Sequence, residues 1–240
     1  MSTPAAPSAS AAPSAPTEPI VAPPRIVVRS RHRPWLHQWL GFIGRPLLRL
    51  ILDVRVREPH YVPPAGPVIV AGNHRGLVDG PVVAVGIRRP TTFLVKSELF
   101  VGPLARVLGW LGQIPVHRGR PDRAALQQAR AVLAAGGLLG IFPEGTRGAG
   151  SLDEVQHGVA YLAVRAGCPI VPVACLGTEG AWPRGARLPR WRTGVDVVFG
   201  PPFTVTVTGD PRSRRAVAEA AEQIRVALAA HVRAVEGDRR

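Results

Sequence analysis

The 240-residue sequence predicts a single α/β domain with a mostly parallel central sheet flanked by helices, preceded by a short amphipathic helical segment. Three observations predict this class. Strand-like and helix-like runs alternate along the chain, the order that βαβ units produce. The strand-like runs are apolar nearly throughout, as strands buried between two helical layers are. Apolar residues make up 46% of the chain and charged residues 19%, a balance that closes a core and excludes an intrinsically disordered chain.

The elements follow in order. Residues 1–24 hold seven alanines, seven prolines and four serines, with Glu18 as the single charge. Such a tail has nothing to bury and is expected to be disordered. It lacks a basic stretch followed by an apolar one, so it does not read as a secretory signal. Residues 25–52 form a second segment, in which Arg25, Arg29, Arg31 and Arg33 precede Trp35, Trp39, Phe42 and the leucines up to Leu52. Gly41, Gly44, Arg45, Pro46 and Arg49 interrupt the apolar run, which therefore cannot span a bilayer as one helix. Two amphipathic pieces meeting at Pro46 are expected. A basic flank with tryptophans suits a helix lying in the headgroup plane, and the same pattern suits an ordinary helix packed on the domain.

The remainder, 53–240, is the domain proper. Strands are expected over 52–57, 67–71, 92–96, 113–117, 138–142, 169–174 and 195–199. Helices are expected over 80–88, 98–111, 123–135, 155–166 and 213–235. In the last, Val217, Ala221, Ile224, Leu228, Val232 and Val235 recur at steps of three or four and give one apolar stripe. In sheets of this kind, chemistry collects in the loops beyond the carboxyl ends of the strands.

Two further totals narrow the function. Cys168 and Cys175 are the only cysteines, which excludes a disulfide scaffold and a multi-cysteine zinc site and leaves both as core residues. The net charge is +14, so the chain should seek anionic partners such as lipid headgroups or nucleic acid. Its arginines are dispersed, only 5% of residues are aromatic, and no nucleic-acid-binding motif is present, all of which argues against nucleic acid. His32, His37, His60 and His231 have no metal-ligand spacing. No Walker A loop exists, since Lys96 is the single lysine and no glycine-rich loop precedes it.

Three loops carry candidate chemistry. After the strand 67–71 comes NHRGLVD, residues 73–79. There a turn can bring His74 and Asp79 together, so that Asp79 holds Nδ1–H and leaves Nε2 free as a base. On spacing alone most such pairs are structural. No Gly-x-Ser-x-Gly elbow occurs, so a hydroxyl to be deprotonated would belong to the substrate. After the strand 138–142 comes FPEGTRG, residues 142–148, whose tight turn presents Glu144, Thr146 and Arg147. Glycine-rich backbone with an arginine suits phosphate, and a turn with a surface Glu–Arg pair is the commoner outcome. Arg118 stands at a third strand end, suited to phosphate or simply solvated.

Taken together, NHRGLVD at 73–79, QIPVHR at 113–118, FPEGTRG at 142–148 and PIVPVA at 169–174 resemble the lysophospholipid acyltransferase family, which includes the 1-acylglycerol-3-phosphate acyltransferases. Four blocks agree in order and spacing over roughly residues 40–210, and KSELF at 96–100 looks like the segment between the first two. The resemblance implies the glycerolipid acyltransferase-like fold. It also implies that His74 is the base and Asp79 its orienting partner, and that Arg118, Glu144, Gly145, Thr146 and Arg147 bind the phosphate and glycerol of the acceptor. Two positions depart from the family pattern: Gly76 replaces the serine usual two places after the histidine, and His157 stands where many relatives carry lysine.

The expected function is acyl transfer from a thioester to the free hydroxyl of a lysophospholipid, in particular the sn-2 hydroxyl of 1-acylglycerol 3-phosphate, giving phosphatidic acid. The donor is an acyl-CoA or acyl-carrier protein, and neither metal nor cofactor is expected. The expected location is peripheral, at the cytoplasmic face of a membrane, with membrane lipids as partners. The alternatives are another acceptor such as glycerol 3-phosphate, a catalytically inactive lipid-binding relative, and a basic nucleic-acid-binding protein.

Overall fold

The computed structural model describes residues 44–117, 122–144, 157–183 and 185–239. The described residues build seven strands: β1 (Asp53–Arg57), β2 (Val68–Gly72), β3 (Thr91–Lys96), β4 (Ile114–Val116), β5 (Leu138–Ile141), β6 (Ile170–Leu176) and β7 (Gly194–Phe199). All seven expected strands are present, within two residues of their expected ends, the margin by which element ends normally vary. The helices are α1 (residues 44–51), α2 (Asp79–Gly86), α3 (Gly102–Trp110), α4 (Arg123–Ala134), α5 (His157–Ala166), α6 (Thr178–Ala181) and α7 (Arg214–Asp238).

The strands form one sheet in the order β1-β7-β6-β2-β5-β3-β4. From β6 to β4 every pair is parallel, while β7 runs antiparallel to β6 and β1 parallel to β7. The side chains of β2 and β6 alternate between two cores, as the two-residue repeat of a strand requires. Ile69, Ala71, Ile170, Ala174 and Leu176 face α4, α5 and α7. Val68, Val70, Val171, Val173 and Cys175 face α1, α2 and α6. The result is a three-layer sandwich with the expected mostly parallel sheet in the middle.

The structure corrects the expected elements in two places. The single helix expected over 98–111 is a 3₁₀ turn at Ser97–Leu99 followed by α3. Pro103 disfavours helical backbone at the residue before it, and Gly102 there adopts φ +51°. The described part of α1 includes Pro46, and the piece expected to meet it there lies outside the described residues. The helix packs Leu48 and Ile51 on the domain, while Leu47 and Leu50 are exposed. Two short elements were not anticipated, a 3₁₀ turn at Pro59–Tyr61 and α6, because one helical turn leaves no periodic signature. Residues 1–43, which hold the tail and most of the basic aromatic segment, lie outside the described residues.

The stripe expected on α7 is real: Ala221, Ile224, Leu228, Val232 and Val235 are all buried. Ser213 caps this helix, its hydroxyl accepting from Ala216 N–H at 3.0 Å. Asp122 caps α4, with Oδ1 accepting from Ala125 N–H and Oδ2 from the His117 backbone N–H and ring Nδ1, each at 3.0 Å. Those donors, the Ala125 amide first, hold its carboxyl at about 2 against an ordinary 3.8. A depressed carboxyl stabilises the fold in its ionised form, fully above its unfolded pKa, and loses that contribution as pH falls through its folded one. We therefore expect the stability gap between wild type and Asp122→Asn to be full above pH about 4 and to close as pH falls toward 2. Thermal melts of the two proteins across that range check it.

Candidate active site at the carboxyl edge of the sheet

Because β2 through β6 are parallel, their carboxyl ends share one edge, and β2 lies between β5 and β6. The loop 73–79 leaving β2 is thus flanked by the segment from Phe142 on one side and by Gly177–Thr178 on the other. Blocks separated in sequence by some seventy and a hundred residues meet there through strand order alone. The junction is locked by Asn73, which is fully buried. Its Nδ2 donates to Cys175 O at 2.9 Å, and Cys175 N–H donates back to Asn73 Oδ1 at 2.8 Å. The side-chain amide copies a ladder pairing and ties the end of β2 to the end of β6.

His74 and Asp79 come together as expected, with Nδ1 2.7 Å from Oδ2. Asp79 is completely buried, while the imidazole keeps 12% of its surface exposed. The same Oδ2 accepts the backbone N–H groups of Arg75 at 2.8 Å and Gly76 at 2.9 Å. Asp79 is also the first residue of α2, where unpaired amides favour negative charge. An ionised carboxylate only accepts, so Nδ1 carries the proton and Nε2 offers the lone pair. The ring is fixed in its plane by Phe142, stacked at 4.7 Å between centroids and 17° between planes. One end of the imidazole is thus held and the other presented.

Glu144 joins the block FPEGTRG to NHRGLVD, its Oε1 accepting from the His74 backbone N–H at 2.9 Å. Burial pushes its carboxyl up, and the His74 amide partly opposes that. Arg75 points the other way and pairs with Glu236 near the end of α7. Gly76 lies against α6. A β-carbon there would come within 2.5 Å of Thr178 O and 2.8 Å of Thr178 Cβ, far inside contact distance. No serine fits at residue 76 while Thr178 stands where it does. Gly177, which leads into α6, holds φ +84°, and a β-carbon on it would sit 2.4 Å from Gly194 O. This glycine is required both by its backbone conformation and by the close approach.

Of the residues singled out from the sequence, the structure brings together His74, Asp79 and Glu144. Arg118, Gly145, Thr146 and Arg147 lie outside the described residues. His157 opens the described part of α5 and is exposed. Cys168 and Cys175 are buried, with thiols pushed up by desolvation. His60 pairs with Glu58, and His231 contacts Val198 O. Among the described residues no group of three or more His, Cys, Asp or Glu could hold a metal ion. The contributions of Asn73, Arg75, Phe142 and Thr178 escape sequence reasoning. Asn73 and Phe142 stand inside the quoted motifs, but only strand order reveals what they touch.

A family model described as Acyltransferase matches residues 53–176, from β1 to the end of β6. The chain is 32% identical to a 1-acyl-sn-glycerol-3-phosphate acyltransferase of Chlamydomonas reinhardtii, over 61% of this chain and 44% of that protein. It is 29% identical to the protein of that name from Pseudomonas aeruginosa, over 82% and 76%. It is 33% identical to the alpha form from Homo sapiens, over 51% and 45%. The chain thus spans less than half the length of the algal and human relatives. The crystal structure of the 1-acyl-sn-glycerophosphate (LPA) acyltransferase PlsC from Thermotoga maritima superposes with a TM-score of 0.66 at 24% identity, covering 84% of this chain and 80% of that one. That likeness establishes the fold.

Proposed function

The chain belongs to the acyltransferase family, and from that premise we propose that it transfers a fatty acyl group from a thioester to the hydroxyl of a lysophospholipid. The acceptor we infer is 1-acylglycerol 3-phosphate, acylated at its sn-2 hydroxyl to give phosphatidic acid. The observation that carries this reading is the His74–Asp79 pair at 2.7 Å, placed at the carboxyl edge of the sheet with Nε2 as the remaining ring nitrogen. The names of the Chlamydomonas, Pseudomonas and human relatives support the choice of acceptor.

The chemistry follows from that geometry. Nε2 takes the proton of the acceptor hydroxyl as its oxygen attacks the thioester carbonyl. Asp79 holds the tautomer and stabilises the imidazolium that forms. The tetrahedral intermediate collapses by breaking the carbon–sulfur bond, and the imidazolium gives its proton to the departing thiolate, which leaves as the thiol. A thioester is already activated, so no acyl-enzyme is required, and His74 with substrate hydroxyl and thioester balances the step. Backbone amides of the His74 loop are the natural donors to the developing oxyanion. Arg118 and Arg147, with Gly145 and Thr146, are assigned to the acceptor's phosphate and glycerol. Glu144 contributes by bracing His74 from behind. The donor is an acyl-CoA or an acyl-carrier protein, and the reaction needs no metal or cofactor.

The acceptor and product are membrane lipids, and we place the protein peripherally at the cytoplasmic face of a membrane. Among the described residues no helix is long and apolar enough to cross one. Leu47 and Leu50 on α1, and separately Val101 and Leu104 at the start of α3, are exposed apolar side chains of the kind suited to lipid contact. In this division residues 1–24 are a dispensable tail, 25–52 carry the membrane contact, and 53–240 carry the chemistry.

Three outcomes are expected. His74→Ala should lower turnover by about 10²–10⁴-fold with the fold intact, and Asp79→Asn should also lose activity. Near-normal turnover of His74→Ala at saturating substrates, assayed with a panel of lysolipids and both donor types, would sink the proposal. Arg118→Ala and Arg147→Ala should raise the KM for acceptor, and Arg118→Lys should restore only part, since lysine lacks the planar fork. A change confined to the donor's KM would assign these arginines to the thioester instead. Leu52 is fully buried, so the informative truncation stops before α1. Removing residues 1–24 should leave binding to anionic vesicles unchanged. Removing 1–43, with Trp35, Trp39, Phe42 and four arginines, should release the folded protein, each basic residue being worth about 1 kcal/mol at such a surface. Sedimentation with vesicles decides between this and a membrane contact made elsewhere.

A further inference from the structure

Three buried polar atoms on or beside the His74–Asp79 loop lack hydrogen-bond partners among the described residues: Asp79 Oδ1, Thr178 Oγ1 and Arg75 Nε. The last is on a guanidinium already engaged by Glu236, and the first two concern the carboxylate that holds His74. Asp79 and Thr178 are fully buried, where an unpaired polar atom carries its whole desolvation penalty. The two are chemically complementary, since a carboxylate oxygen accepts and a threonine hydroxyl can donate. They also converge on one residue. Gly76 N–H donates to the other oxygen of Asp79 at 2.9 Å. A β-carbon on the same Gly76 would lie 2.8 Å from Thr178 Cβ. Thr178 therefore fills the space that a side chain at residue 76 would take, and it brings to that space a hydroxyl which glycine cannot supply.

We propose that Thr178 is a positioning residue for the His74–Asp79 pair. The two atoms do not bond each other directly; the hydroxyl donates to one buried water that in turn donates to Asp79 Oδ1, and so fixes the second carboxylate oxygen as the Arg75 and Gly76 amides fix the first. With both oxygens held, the carboxylate cannot rotate about its Cβ–Cγ bond, and Oδ2 stays in line with His74 Nδ1. The structure around Thr178 suits the task. Gly177 begins α6 in a left-handed conformation against Gly194 O. Just before it, Cys175 is clamped to Asn73. The threonine is thus delivered on rigid backbone, from β6 rather than from the loop that bears His74 and Asp79. This role rests on the reading of His74 as the base.

Thr178→Val removes the hydroxyl at nearly constant shape, and Thr178→Ser keeps it. Thr178→Val should lower kcat about tenfold, the scale of one hydrogen bond to a charged group, with acceptor KM within about twofold. Thr178→Ser should restore most of kcat. Proton NMR of the substrate-free protein should show the downfield Nδ1–H resonance of His74, identified by its loss in His74→Ala, displaced or broadened in Thr178→Val and unmoved in Thr178→Ser. Should Thr178→Val fail to fold, Thr178→Ala carries the same comparison. Wild-type kcat with an unmoved resonance in the hydroxyl-free variant overturns the proposal. So does an equal loss in both the valine and serine variants, which would mark a packing role. The resonance is read without turnover, so an active His74→Ala would refute the base while leaving the test of the hydrogen bond intact.

Discussion

Asp79 Oδ2 accepts three hydrogen bonds from within a single turn of chain, from His74 Nδ1 and from the amides of Arg75 and Gly76. A buried carboxylate survives only where donors replace its lost water, so the turn must curl around this oxygen before α2 can begin. That requirement sets the path of residues 73–79 and the direction in which α2 leaves the sheet. It also sets the angle at which the imidazole emerges. The charge that organises the loop is thus the charge that orients the base, and one residue serves both folding and the chemistry proposed for the site.

The second constraint is the position of β2. Only a strand with parallel neighbours on both sides can have its carboxyl-end loop flanked by two others, and β2 has β5 and β6. From β5 come Phe142, under the imidazole, and Glu144, beneath its backbone amide. From β6 come the carbonyl and amide of Cys175 that hold Asn73, and Thr178 against Gly76. Each contact fixes a different part of the motif. The neighbours hold the loop from both sides and leave an edge of His74 exposed.

Much of the fold was legible because its strands are short, apolar and well separated by helical periods. A pattern such as Pro67–Ala71 followed by NHRGLVD marks the strand, its end and the loop in one reading. What escaped has physical reasons. The break before α3 depends on how Gly102 and Pro103 share one turn, a local effect that apolar periodicity does not register. α6 is a single turn and has no period to detect. At the site, His74 and Asp79 were legible through the block NHRGLVD and its order among the other blocks, since their spacing alone is common in structural pairs. Thr178 was not, because its relation to Gly76 runs across a hundred residues and through the order of strands. Gly76 read as a loss of a hydroxyl from the motif. In the folded chain it is the clearance that admits Thr178.

The pairing of Arg75 with Glu236 spans 161 residues and has a consequence for how the site comes into being on a ribosome. The loop bearing His74 is made early, yet the acidic partner of its arginine belongs to the last turns of α7. During vectorial synthesis the nascent sheet can gather β2, β5 and β6 while Arg75 still lacks that partner, since domains generally mature as units once their final elements emerge. Closure of this ion pair must therefore wait for α7. A substitution that disturbs those turns of α7 would be felt beside the imidazole, distant though it is in sequence.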